Sequence, residues 1–278
     1  MTVVSDVRVS DAVEAVETDL LLEGLRRRWG YDLRGYDRRH VQRRLALLLR
    51  ARRERSLSAL QERVLRDSRQ AEAVVAALAR SRARLFADPG FYRAFRERIA
   101  PFLRTYPSPL LWVPSCGTGE EAYTLAVVLE EEGLAGRAEI YATELLGSTV
   151  EEARRHWTVP ALLRSAQARH SRAGGTRPLE AHFRAGPRGY ALATPLLQRI
   201  VLGTHSLATD GPINEFQFVL CRGLLPRFGP ELRLRVLGLV RDSLCPLGLV
   251  ALDPGSGDLQ VPGLAPHAPQ EGLWRRVQ

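Results

Sequence analysis

The residue types best suited to chemistry stand together in the run Ser115-Cys116-Gly117-Thr118-Gly119-Glu120-Glu121. Glycines at 117 and 119 let backbone approach a ligand closely, and a helix opening at Glu120 would aim its free N–H groups at that ligand. Two carboxylates in that first turn repel a phosphate and suit an ammonium or sulfonium charge. No Lys-Ser/Thr pair follows the glycines, which excludes a P-loop, and the dinucleotide fingerprint G-x-G-x-x-G fails at its third glycine. Glu144 stands 25 residues beyond Gly119, where a doubly wound fold sets an acid against ribose hydroxyls. An acid for a ribose and acids for a cation describe a cationic nucleoside, of which S-adenosylmethionine (SAM) is the obvious one. The plainer account is that Glu120 and Glu121 only complement the helix macrodipole.

Such a turn needs a strand before it and a helix behind it. Leu110–Pro114 is a short apolar run, and residues 120–132 carry Tyr123, Val127 and Val128 on one helical stripe. Residues 139–143 form the next strand and end in Glu144, after which Ser148 and Glu151 read as a capping box. The sheet therefore continues as parallel. Residues 216–221 (FQFVLC) read as a central strand, 230–244 as a helix begun by Pro230, and 247–253 as a further strand. A Pro/Gly-rich stretch over 254–272 precedes a short final piece, 273–277. Residues 157–200, broken by Pro, Gly, Arg and Ser, read as an inserted subdomain with short strands.

Upstream the periodicity is helical. Val41, Leu45, Leu48 and Leu49 share one stripe, followed by Leu57, Leu60, Val64 and Leu65 with a capping box from Ser58 to Gln61, and a third helix near 69–80. The spacing predicts a tail over 1–19, an all-helical basic domain over 20–100 and an α/β domain over 101–278 that contains the 157–200 insertion.

The chain has 278 residues, 45% hydrophobic and 26% charged, enough for roughly two domains with real cores and too apolar for disorder as the main state. Three widely spaced cysteines give neither a disulfide framework nor a zinc site and fit a reducing compartment. No stretch approaches the roughly 18 apolar residues of a membrane span, so a cytoplasmic protein without membrane insertion is expected. All 40 basic residues are Arg, which reflects a compositional bias of the source genome. Residues 26–69 hold 15 of them against five acids, a local net of +10 in a chain of net +9. Arg38, Arg39, Arg43, Arg44, Arg50 and Arg53 fill the faces around the Val41 stripe and are the candidate partner-binding residues. They suit an acidic helical protein surface, or less well a nucleic-acid backbone; the bland alternative is a solvated helix face.

Gly117-Thr118-Gly119-Glu120-Glu121 with Tyr123 and Ala126 resembles the S-T-G-E-E-P-Y-S-x-A signature of the chemoreceptor glutamate methyltransferase (CheR) family. Other blocks agree in order. Gly30-Tyr31-Asp32-Leu33 with Gly35-Tyr36 resembles G-x-D-x-x-x-Y, Leu85-Phe86-Ala87-Asp88-Pro89 resembles F-F-R-D-P, and Tyr141-Ala142-Thr143-Glu144 resembles Y-A-T-D. Thr204-His205-Ser206-Leu207 and the run from Cys221 to Phe228 resemble the H-N-L and C-R-N-x-x-I-Y-F segments. The resemblance implies a Rossmann-like SAM-methyltransferase domain with a small inserted β-subdomain, preceded by an all-helical domain. It also implies methyl transfer from SAM to glutamate side chains on the helical cytoplasmic bundle of a chemoreceptor.

Carried over position by position, the resemblance assigns SAM contacts to Gly117, Thr118, Gly119, Glu120, Glu144, Ser206, Leu207, Arg222 and Gly223. The chemistry positions depart from the family. Its F-F-R arginine is Ala87, its I-Y-F tyrosine is Arg227, two asparagines are Ser206 and Gly223, and N-x-T is Ser81-Arg82-Ala83. A methyl group cannot pair with a carboxylate, and an inward Arg227 would repel a sulfonium. Arg84, three residues before Ala87, is the candidate replacement, and a solvent-facing Arg227 would be harmless. Three readings follow: an active, divergent protein-glutamate methyltransferase; an inactive pseudo-methyltransferase acting as a scaffold in a chemosensory-type pathway; and an RNA-binding or RNA-modifying protein of the same fold. Cys116 and Cys221 read as small buried side chains, His205 as structural or functional alike, and His156, His170 and His182 lack metal spacing, so no metal is expected.

Overall fold

Apolar residues at helical spacing build the Arg-rich half, each helix burying one stripe and leaving the rest wet. The computed structural model describes residues 3–81, 84–155, 157–254 and 261–277, and the chain divides into a helical unit (1–80 with 226–235) and a sheet unit (81–225 with 236–278). Helices α1 (Val3–Trp29), α2 (Arg38–Arg52), α3 (Leu57–Arg66) and α4 (Ser68–Ala79) make the first unit. Leu21, Leu25, Val41, Leu45, Leu60, Val64, Val74 and Leu78 are buried in it. The indole Nε1–H of Trp29 donates to the Val64 carbonyl at 2.8 Å.

Three expectations are corrected here. The stretch expected as a tail is helical from Val3 onward, because it continues into α1 without a breaker. The helical unit ends at residue 80 rather than 100 and gains residues 226–235. Pro89–Ala94 (α5), a π-helical turn Phe95–Ile99 and Ala100–Arg104 (α6) instead belong to the sheet unit, where Phe91, Phe95 and Ile99 pack into the main core. The cap of α3 is Ser56, not Ser58: Ser56 is extended and its hydroxyl accepts from the Ala59 amide, whereas Ser58 lies within the helix and bonds Glu17.

In the sheet unit, β1 (Leu110–Pro114) leads through α7 (Glu120–Glu131) to β2 (Glu139–Glu144). Helix α8 (Gly147–Arg154) follows, capped by Leu146 with no side-chain bond, so the Ser148–Glu151 capping box does not form. Helix α9 (Pro160–Arg172) and the antiparallel hairpin β3 (Phe183–Gly186) and β4 (Gly189–Leu192) occupy the excursion, which closes with α10 (Thr194–Leu197). Then come β5 (Ile200–Thr204), β6 (Phe216–Leu220), α11 (Pro230–Asp242), β7 (Leu244–Ala251), β8 (Leu264–Ala268) and β9 (Leu273–Arg276).

Among the described residues the main sheet runs β5-β2-β1-β6-β7-β9-β8, with β9 antiparallel to both neighbours and the other pairings parallel. The Pro/Gly-rich stretch thus hides an edge strand, β8, and the last piece turns back against the parallel sheet. Central strands are apolar on both faces, with Trp112, Phe218 and Val219 buried, as a sheet covered on both sides requires. Strand order reverses between β1 and β6. The crevice beyond the carboxyl ends of these strands is where a Rossmann-like sheet binds ligands, and it receives the glycine turn, Glu144 and residues 221–223.

The carboxylate of Asp37 caps α2 by accepting the His40 amide at 2.8 Å. Asp37→Ala is expected to cost about 1 kcal/mol, read as a lower urea midpoint at unchanged slope.

Candidate functional site

Beyond β1 the chain turns sharply. Ser115, Gly117 and Gly119 have positive φ of 52°, 58° and 94°, and a Cβ on Gly117 would lie 2.7 Å from the Ser81 carbonyl oxygen. Only glycine fits there. The Gly117 amide donates to Glu144 Oε2 at 2.9 Å and the Leu145 amide to Oε1 at 2.8 Å, so the carboxylate, only 3% exposed, is fixed between the ends of β1 and β2. The carboxylate thus stands at the end of β2, where a Rossmann-like sheet sets an acid against ribose hydroxyls. Glu120 opens α7 and holds the Thr118 hydroxyl at 2.7 Å from each carboxylate oxygen. Residues 115–121 thus present acids and backbone N–H groups, with no cation for a phosphate.

Cys116 is fully buried, and burial, then the Glu144 charge, pushes its thiol well above the usual range, as for a small packed side chain. His205 is buried, its Nε2 lying 2.9 Å from the Gly211 carbonyl oxygen and its ring edge-on to Trp112, a packing role beside the site.

Next to Glu120 opens a cleft of about 350 Å³, lined by Arg84, Glu120, Trp157, Val159, Leu162 and Arg169 among others. One wall is a tight turn in which the Ala87 amide returns to the Arg84 carbonyl at 3.1 Å and Phe86 takes a left-handed φ of 53°. The buried Phe86 amide donates to the Thr124 hydroxyl on α7 at 3.1 Å. Asp88 ends the turn with both carboxylate oxygens engaged: Oδ1 caps α5 through the Phe91 amide at 3.1 Å, and Oδ2 accepts from Arg222 at 2.8 Å. Arg222, expected at the ligand, therefore buttresses the turn, its guanidinium 4.5 Å above the Phe91 ring.

The sequence matches the CheR methyltransferase SAM-binding domain over residues 83–256 and the CheR all-alpha domain over 17–79. A Pseudomonas putida protein named "Putative methyltransferase Cher3" is 35% identical over 237 residues, 85% of this chain and 87% of its own. The chain belongs to the CheR methyltransferase family. A second protein of that organism, "Probable biofilm formation methyltransferase WspC", is 28% identical over 167 residues, and the match spans 37% of its length. Among solved structures, the glycopeptide N-methyltransferase MtfA in complex with SAM aligns over 64% of this chain and 61% of its own, at 17% identity and a TM-score of 0.36.

SAM is the cofactor of the matched CheR domain, and the residues present fit it. Glu144 offers acceptors for a ribose, Glu120 a charge for a cation, and Gly223, with φ 67° and open space where a Cβ would stand, leaves room at the end of β6. The Gly223 amide is fixed by Asp253 at 2.7 Å. Ser206 and Leu207 lie half-buried after β5, and the Ser206 amide donates to Asp210 at 2.9 Å. Arg227, the replacement for the CheR tyrosine, donates from Nη1 to the Ala79 carbonyl at 3.0 Å and so closes the end of α4. Ala87 is exposed and carries no polar group. Trp157, Arg169 and Asp253 are not among the site residues read from the sequence, and Asp88 enters there only as part of a matched block, because each acts through a partner far away in the chain.

Two histidines that show no metal spacing in the sequence meet in the fold. His170 and His182 converge on Glu131, with ligating atoms within 4.8 Å of one another; His156 lies outside the described residues. Glu131 Oε1 lies 3.0 Å from His170 Nε2 and 3.2 Å from His182 Nε2, and Oε2 is held by Arg96. Hydrogen bonds therefore already close the ring of atoms that an ion would use. Burial would raise the Glu131 carboxyl, but its bonds to His170, His182 and Arg96 outweigh this and hold it far below the usual carboxylate range. Burial likewise opposes a charged His182, yet its bonds to Glu131 and Glu130 raise it above its usual value.

The signs fix a pH window. Stability from Glu131 is present above its usual 4.5 and is lost as acid protonates the folded form; that from His182 is present below its usual 6.5 and is lost as pH rises through its raised value. The gap in urea midpoint between wild type and His182→Gln is expected to be widest between those two usual values and to shrink above neutrality. Gly117→Ala, by forcing the turn away from Ser81 and Glu144, is expected to weaken SAM at least tenfold in calorimetry.

Proposed function

We propose that this CheR-family protein transfers the methyl group of SAM to glutamate carboxylates on an acidic, helical protein surface of the chemoreceptor type, in the cytoplasm. The observation that supports it most is the Glu144 carboxylate clamped to the glycine turn, with Glu120 at the mouth of the adjoining cleft. Bound SAM supplies an electrophilic methyl group. An acceptor glutamate, with a usual pKa of about 4.3, is already a carboxylate at neutral pH, so its oxygen could form the new bond to the methyl carbon without a general base while the methyl–sulfur bond breaks and its electron pair stays on the sulfur of the departing S-adenosylhomocysteine. A cleft whose ionisable lining is Arg84, Glu120 and Arg169 is consistent with that. What the chain must contribute is orientation and exclusion of water, for which Trp157, Val159 and Leu162 provide an apolar wall.

The partner reading rests on α2. Arg39, Arg43 and Arg50 are exposed on one face around Leu47, itself 55% exposed, and with the exposed Arg53 form no ion pair among the described residues. Arg38 and Arg44 are engaged inside the helical unit, with Asp19 and the Ala77 carbonyl, and drop from the candidate face. A second reading, a fold kept for docking without turnover, is favoured by Ala87, an exposed methyl where the family has arginine.

Calorimetric titration with SAM and S-adenosylhomocysteine is expected to show saturable micromolar binding, followed by labelled-methyl transfer to acidic receptor-type helices. Absence of heat at millimolar ligand from a folded sample would overturn the methyltransferase reading; binding without transfer would favour the docking one. Arg39→Glu with Arg43→Glu is expected to weaken partner association about tenfold or more and to flatten its salt dependence.

A further inference from the structure

Two arginines line the Glu120 cleft. Arg84 is exposed at the start of the tight turn, and Arg169 comes from α9, its Nε–H donating to the Leu85 carbonyl at 3.0 Å and its Nη1 to the Ser165 carbonyl at 3.0 Å. Neither forms an ion pair among the described residues, although Glu120 lines the same cleft. The bonds to Leu85 and Ser165 fix the Arg169 guanidinium while leaving Nη2 uncommitted among the hydrogen bonds described. Beside them, Trp157 lies against Gly186 and is flanked by the guanidinium groups of Arg184 and Arg188 at 5.3 and 5.2 Å.

Like charges held together at one cleft repel each other unless an anion lies between them, and planar guanidinium forks match a carboxylate in two bonds each. We propose that Arg84 and Arg169 form a carboxylate-binding pair in the Glu120 cleft, replacing in space the charge that exposed Ala87 cannot offer. The shared chemistry is a carboxylate, carried either by the amino-acid end of the nucleoside or by the acceptor side chain. This rests on the function proposed above and adds to it the residues that orient the reacting partners. Burial first, and then the nearby Arg84 charge, lower the Arg169 pKa.

The test compares wild type with Arg84→Gln and Arg169→Gln against three probes: S-adenosylhomocysteine, 5′-methylthioadenosine, which is a nucleoside lacking the amino-acid end, and glutarate. The first two are read by calorimetry and glutarate by Trp157 fluorescence, with Trp157→Phe as the control. Loss of about tenfold or more for S-adenosylhomocysteine, with methylthioadenosine unchanged, assigns the pair to the cofactor's carboxylate. An unchanged nucleoside affinity with glutarate binding weakened about tenfold assigns it to the acceptor. Unchanged affinity for all three probes in both variants overturns the proposal. The Arg84 side chain makes no hydrogen bond among the described residues, and the bond its carbonyl accepts from the Ala87 amide is kept in Arg84→Gln, so the substitution reports on ligand and not on folding. Wild type that binds neither nucleoside would instead defeat the SAM reading, while the glutarate arm still decides whether the pair binds a carboxylate.

Discussion

The buried Glu144 carboxylate is the constraint on which the site depends. A charged group 3% exposed is costly unless hydrogen bonds replace its water, and here amides from two different strand ends do so. The bond to Gly117 sets the height of the glycine turn, which sets where α7 begins, which sets where Glu120 stands. Left-handed backbone at Ser115, Gly117 and Gly119 is what lets one short segment leave a buried strand and point its amides at the crevice. The parallel order β2-β1-β6 then puts the remaining site segments along the same edge.

A second dependence runs through the turn at residues 84–88. Its amide at Phe86 is tied to α7, its Leu85 carbonyl to α9, and Asp88 to both α5 and Arg222. Both carboxylate oxygens of Asp88 have structural work, whereas the side chain before it, the Ala87 methyl, is exposed and only its backbone amide serves the turn, through Arg84. Such a position can lose its side chain without disturbing the turn. That separates fold from chemistry within five residues.

The sequence carried the strand-turn-helix of the site, the acids at 120 and 144 and the all-helical start, because each is written in local spacing or residue type. It did not carry what depends on distant partners. Asp88–Arg222 joins residues 134 apart in the chain and His182–Glu131 joins residues 51 apart, and no periodicity signals either. The edge strand Leu264–Ala268 was masked by Pro266, which an edge position tolerates because it needs fewer ladder bonds. Arg227 looked like a threat to a sulfonium from its alignment alone; its guanidinium closes the Ala79 carbonyl instead, a C-terminal helix role that arginine fills well.

The chemistry proposed for the cleft bears on how far its side chains can drift. Methyl transfer to a carboxylate needs no proton moved before the bond forms, so the protein's task is to hold an anion and a cation in line in a place with little water. A general base must sit at one atom's hydrogen-bond distance; a charge that orients a carboxylate can be supplied from any wall of the cleft that reaches it. An arginine at 87 and a pair at 84 and 169 are, in that sense, alternative solutions to one electrostatic requirement. The first places the charge on a turn, the second on a turn and a helix held together by the Arg169–Leu85 bond.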